Sequence, residues 1–151
     1  MDNILVKNIL AAVFDKKTLD PLLALLDSKK VQFYGTEGTV AYLKKKGFKA
    51  KSVVSGFDFD GRVKTISRLV FSQILADRNK AAHIRELKKM AAEPFDLLVV
   101  DLYAPDPKIF PESMDIGGQT MIRAAVKNYP NVALAYDAKS TKELIAHLRL
   151  N

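Results

Sequence analysis

Short, wholly apolar runs alternate with longer segments in which apolar residues recur at helical spacing. Ile9-Leu10-Ala11-Ala12-Val13-Phe14 reads as a buried strand, ended by Asp15-Lys16-Lys17. A helix starts near Pro21, with Leu22, Leu23, Leu25 and Leu26 as its apolar side. Val31 to Tyr34 is the second strand, and Val40 to Lys46 a helix that Gly47 closes. Lys51 to Ser55 is the third strand. Ile66 to Asp77 fits a strand or part of a helix, and Lys80 to Ala92 a helix closed by Pro94. Phe95 to Tyr103 carries the strongest strand signal. A helix follows Gly117-Gly118, with Met121, Ile122, Ala125 and Val126 on one side. Asn131 to Tyr136 is the last strand and Ser140 to Leu148 the last helix, capped by Ser140 or Thr141. This alternation predicts an α/β domain of three layers, a mostly parallel sheet flanked by helices. With 151 residues, one domain spanning 1–151 is expected.

Composition narrows the function classes. Apolar residues make up 48% and charged residues 27%, which suits a globular chain. No apolar run approaches the ~20 residues of a membrane span, and Met1-Asp2-Asn3 lacks a basic leader region, so a cytoplasmic setting without membrane contact is expected. Cysteine is absent, which excludes disulfides and thiolate metal sites. The net charge of +7 suits an anionic partner. The chain has no RNA-recognition signature or arginine-rich run, so a phosphorylated small molecule ranks above nucleic acid. His83 and His147 stand far apart in separate helices and read as surface residues, with no metal site.

Four stretches carry chemistry. Gly35-Thr36-Glu37-Gly38-Thr39 joins a strand to a helix, so backbone N–H groups, hydroxyls and the helix dipole converge on one anion; a capped turn with Thr39 as N-cap is the plainer reading. Arg62 and Lys64, two apart in an extended segment beside Gly61 and Thr65, form either an oxyanion clamp or an exposed basic edge, equally weighted. Asp101 and Tyr103 end a strand, where parallel sheets hold ligands. Asp115-Ile116-Gly117-Gly118 opens a helix; by itself this is an ordinary turn with Asp115 as an N-terminal charge.

Their order, with Gly61-Arg62-Val63-Lys64-Thr65 and Asp115-Ile116-Gly117-Gly118 through Arg123-Ala124-Ala125-Val126-Lys127-Asn128, resembles the IMP cyclohydrolase domain of the bifunctional purine-biosynthesis protein, of methylglyoxal-synthase-like fold. The resemblance runs to about Tyr136 and implies a free-standing, shortened cyclohydrolase. Such a protein closes 5-formamidoimidazole-4-carboxamide ribonucleotide to IMP with loss of water. It implies no cofactor, a homodimer, and a separate AICAR transformylase supplying the substrate. It implies catalysis by Lys64, Tyr103, Asp115 and Lys127. It also implies nucleotide binding by Phe14, Asp15, Lys16, Gly35, Thr36, Glu37, Gly38, Thr39, Arg62, Val63, Thr65, Val100, Asp101, Ile116 and Gly117. The chain departs from the family pattern at Phe14 (a serine there), Glu37 (a glycine), Asp101 (an asparagine) and Ile66 to Phe71 (a histidine-containing segment). Two other readings stand beside it: a non-catalytic nucleotide- or phosphate-sensing domain of the same fold, and a cyclase for a related ribonucleotide.

Overall fold

The computed structural model describes residues 5–149. Five strands form one all-parallel sheet: β1 (Asn8–Ala12), β2 (Gln32–Gly35), β3 (Lys49–Ser52), β4 (Leu97–Val100) and β5 (Ala133–Ala135), in the order β3-β2-β1-β4-β5. The helices are α1 (Asp20–Leu23), α2 (Glu37–Lys45), α3 (Arg68–Leu75), α4 (Ala81–Lys89), α5 (Gly117–Lys127) and α6 (Ala138–Arg149), with 3₁₀ turns at Lys16–Leu19 and Pro107–Ile109.

Strand side chains alternate between two cores, as the pleat requires. Ile9, Ala11, Phe33, Leu97, Val99 and Ala135 point to one face, under Leu22 and Leu23 of α1, Val40 and Leu43 of α2, and Leu144 of α6. Leu10, Leu98 and Val100 point to the other, under Val70 and Ile74 of α3 and Met121, Ala124 and Ala125 of α5. The expected three-layer α/β sandwich is therefore present, and its sheet is wholly parallel. β4 is buried at all four positions, which explains its unbroken apolar run.

Element ends moved where local chemistry competed with hydrophobicity. β1 stops at Ala12, and Phe14 lies beyond it, 72% exposed. α1 is four residues long and continues only as i→i+3 turns (Leu25 N to Leu22 O, Leu26 N to Leu23 O), leaving Leu25 outside the core. β3 begins earlier than expected, at Lys49, and as an edge strand buries only Ala50. α2 begins at Glu37 with Thr36 as N-cap, so Thr39 is a buried first-turn residue and not the cap. The ambiguous Ile66–Asp77 region is helix α3, because the Ser67 hydroxyl accepts the Val70 N–H at its start. α5 turns Ala124 inward and leaves Val126 exposed. α6 is capped by Asp137, whose Oδ1 accepts the Ser140 N–H at 2.7 Å, so neither Ser140 nor Thr141 is the cap.

Among the described residues no helix is long and apolar enough to cross a membrane.

Candidate active site

In the order β3-β2-β1-β4-β5 the chain leaves β1 toward one edge and returns to its other side at β4, so the carboxyl ends of β1 and β4 flank a crevice. The loops after β1, β2 and β4, the 56–65 loop and the start of α5 meet at this edge.

After β1, the main chain is pinned by Asp101, which follows β4. Its Oδ1 accepts the Phe14 N–H, and its Oδ2 the Asp15 N–H at 3.2 Å. An asparagine has only one acceptor oxygen, so the aspartate suits this double contact. The Phe14 and Tyr103 rings stack at a tilt, 5.4 Å between centroids, with both partly in solvent. The Asp15 carboxylate accepts the Lys17 N–H and caps the following 3₁₀ turn. Lys16 Nζ donates to the carbonyls of Val13 (2.6 Å) and Phe14 (3.0 Å), which places an ammonium at the strand exit. Its Cε lies 3.6 Å from where a Cβ on Gly38 would stand, so the β1 exit and the start of α2 touch.

After β2, Gly35 is required, since a Cβ there would stand 2.5 Å from the Ala11 carbonyl oxygen. Thr36 makes no side-chain cap to α2, so the first-turn N–H groups stay open to a ligand. Thr39 Oγ1 is buried without a hydrogen-bond partner. The Glu37 carboxylate is held by the Ser52 hydroxyl at 2.6 Å.

The 56–65 loop turns through three consecutive left-handed residues, Phe59 (φ 55°), Asp60 (φ 56°) and Gly61 (φ 86°). Lys64 folds back over Gly61. Arg62 forms a two-pronged ion pair with Glu112, in the segment between β4 and α5, and Val63 is exposed. Thr65 is buried with its hydroxyl against Gly117: a Cβ on that glycine would stand 2.6 Å from Oγ1. Lys64 is thus held between two anchors, both on the approach to α5. Asp115 Oδ1 accepts the Gly118 N–H at 2.8 Å, and its Oδ2 lies 2.4 Å from the Cβ site of Gly118, so the second glycine keeps room for the carboxylate. Ile116 is exposed beside it.

The structure therefore gathers Phe14, Asp15, Lys16, Gly35 to Thr39, Lys64, Thr65, Asp101, Tyr103, Asp115 and Gly117 along one edge of the sheet, with Val100 buried beneath them. It does not bring Lys127 there. Lys127 ends α5, about 15 Å from Gly117 at 1.5 Å per residue. Its neighbour Asn128 donates its side-chain amide to the carbonyls of Ile74 and Ala76, and its Oδ1 accepts the Asn131 side-chain amide. Ser52 and Glu112 are site-edge residues with no signal in the sequence, since their partners lie 15 and 50 positions away.

A cavity of about 510 Å³ lies at the opposite end, beside Lys7, Arg78, Glu93 and Asp96. Arg78 there bonds Asp96, Phe95 O and Asn131 O, and Asp96 accepts the Lys7 and Asn8 backbone N–H groups.

No family model matches the chain. The bifunctional purine biosynthesis protein PurH of Clostridium botulinum (strain Loch Maree / Type A3) is 36% identical across 97% of this chain. PurH of Corynebacterium glutamicum (strain R) is 38% identical across 85% of it. The crystal structure of ForH superposes with a TM-score of 0.78 at 29% identity, over 95% of this chain and 79% of ForH. The chain is a relative of the methylglyoxal-synthase-like domain of PurH. It spans about a third of the length of these PurH relatives, 32% of one and 27% of the other.

Proposed function

We propose that the chain is an IMP cyclohydrolase, closing 5-formamidoimidazole-4-carboxamide ribonucleotide to IMP in purine biosynthesis. The reading is supported by the Thr65–Gly117 contact beside Lys64 and Asp115, the Phe14–Tyr103 pair and the Lys16–Gly38 contact at the open first turn of α2, all beyond the carboxyl ends of the strands in a relative of PurH. The phosphate would lie against the α2 N-terminus and Lys16, with Gly38 allowing close approach. The base and its substituents would then face the β1–β4 crevice.

The carboxamide nitrogen is a weak nucleophile that must attack a formyl carbon on the same molecule. Holding both in a near-attack geometry supplies much of the rate. Asp115, with one oxygen on Gly118 N–H, has the other to orient or accept the amide proton. Lys64 and Tyr103 would stabilise the charge that develops on the formyl oxygen and assist its departure as water. Lys127 is kept out of this scheme because α5 carries it to the far end. The reaction needs no redox group or cofactor. A homodimer, and a transformylase activity supplying the formylated substrate, belong to the same proposal.

A nucleotide-sensing role is favoured by a different observation: Glu37 puts a carboxylate in the first turn of the cradle. Mixing the protein with formamidoimidazole-carboxamide ribonucleotide and following IMP by ultraviolet absorbance separates the two. Turnover lost in Lys64→Ala and Asp115→Ala is expected; IMP binding with no turnover would leave only the sensor.

A further inference from the structure

Glu37 is the first residue of a helix whose opening N–H groups no side chain caps. A carboxylate in this position is drawn to those same N–H groups by the helix dipole. Left free, it would occupy them and repel any anion that came to them. The neighbouring strand prevents this. Ser52 ends β3 and pairs with Gly35, the residue that opens the loop, while Val53 N donates to Gly35 O at 2.9 Å. The Ser52 oxygen accepts the Val54 N–H at 3.1 Å, and its hydroxyl hydrogen is directed to Glu37 Oε1 at 2.6 Å.

We propose that Ser52 is a positioning residue for the anion cradle: it draws the Glu37 carboxylate to the end of β3 and so leaves the α2 N-terminus free for a phosphate monoester. This rests on the reading of that cradle as the phosphate subsite. The effect is electrostatic and local. A carboxylate swung to about 5 Å from a phosphate dianion repels it by roughly 2 kcal/mol in a water-like dielectric, a weakening on the order of tenfold.

Calorimetric titration of the full chain with IMP, and separately with ribose 5-phosphate, tests this in the wild type, Ser52→Ala, Glu37→Gln and the double variant. Ser52→Ala is expected to weaken both ligands about tenfold, within the Coulomb estimate above. Glu37→Gln is expected to bind at least as tightly as wild type, and adding Ser52→Ala to it is expected to change nothing further. Circular dichroism confirms that each variant is folded. The proposal is overturned if Ser52→Ala binds like wild type. It is equally overturned if the weakening persists in the Glu37→Gln background, since Ser52 would then act through Val54. Wild type that binds ribose 5-phosphate but not IMP refutes the purine reading while the four-protein comparison still decides the role of Ser52. Binding of neither ligand removes the cradle and this inference together.

Discussion

Gly35 shows how one missing methyl positions the site. A Cβ would stand 2.5 Å from the Ala11 carbonyl, on the central strand, where no flexible side chain can yield. Gly35→Ala should therefore destabilise the protein by about 2 kcal/mol, in the range of other overpacked cores, read as a lower urea midpoint. Lys127 makes the converse case. Its place in the motif attracts a catalytic role, but the helix rise removes it from Asp115. Lys127→Ala is expected to keep kcat/KM within about threefold, far less than the 10²–10⁴ of a lost general acid. A hundredfold loss would restore it to the reaction. Asp101 was legible as a strand-end carboxylate, but its task, receiving two N–H groups from the β1 exit, depends on a neighbour 87 positions away.

At the scale of elements, the caps decided boundaries that hydrophobic pattern left open. Ser67 turned an apolar stretch of either period into α3, and Asp137 set the start of α6 three residues before the expected cap. Hydrogen bonds from Ser140, the largest cause, hold the Asp137 carboxyl below its ordinary value of 3.8, with Lys139 adding a smaller effect. A group with a lowered folded pKa stabilises fully above its unfolded value and loses this as pH falls through the folded one. Asp137→Asn should thus lower Tm at neutral pH, and its deficit should shrink below pH ~3.8. Parallel thermal melts of both proteins from pH 7 to pH 2 check this; a deficit constant with pH would rule out the charge as its cause. The loops follow the same logic. The bend at Phe59 to Gly61 folds Lys64 back over Gly61, and the Arg62–Glu112 pair ties that loop to the segment before α5; neither has a hydrophobic period to announce it.

The whole molecule separates the edge of the proposed site from the opposite, amino end of the sheet. At the amino end of the sheet, Asp96 is almost fully buried and is satisfied by Arg78 and by two N–H groups before and within β1. Arg78 also reaches Phe95 O and Asn131 O, so it ties together the segments that lead into β4 and β5. Removing it would leave a buried carboxylate short of its counter-charge. Arg78→Ala should cost about 3 kcal/mol in denaturant unfolding, while IMP binding at the far edge is retained in the folded fraction. Equal loss of both would tie the two ends together energetically.

Local chemistry alone determined the element types and the three-layer architecture, because apolar runs bounded by Gly, Pro and charged residues leave few ways to bury them. It also determined which loops hold Gly, Thr, Lys and Asp in a binding pattern. Tertiary structure decided the rest. Strand order placed β1 beside β4 and made their exits one crevice. Sheet register set Ser52 beside the Gly35 loop and so turned Glu37 aside. The length of α5 carried Lys127 away from Asp115. These are distances between residues far apart in the chain, or across a rigid helix, and neither periodicity nor motif spacing encodes them.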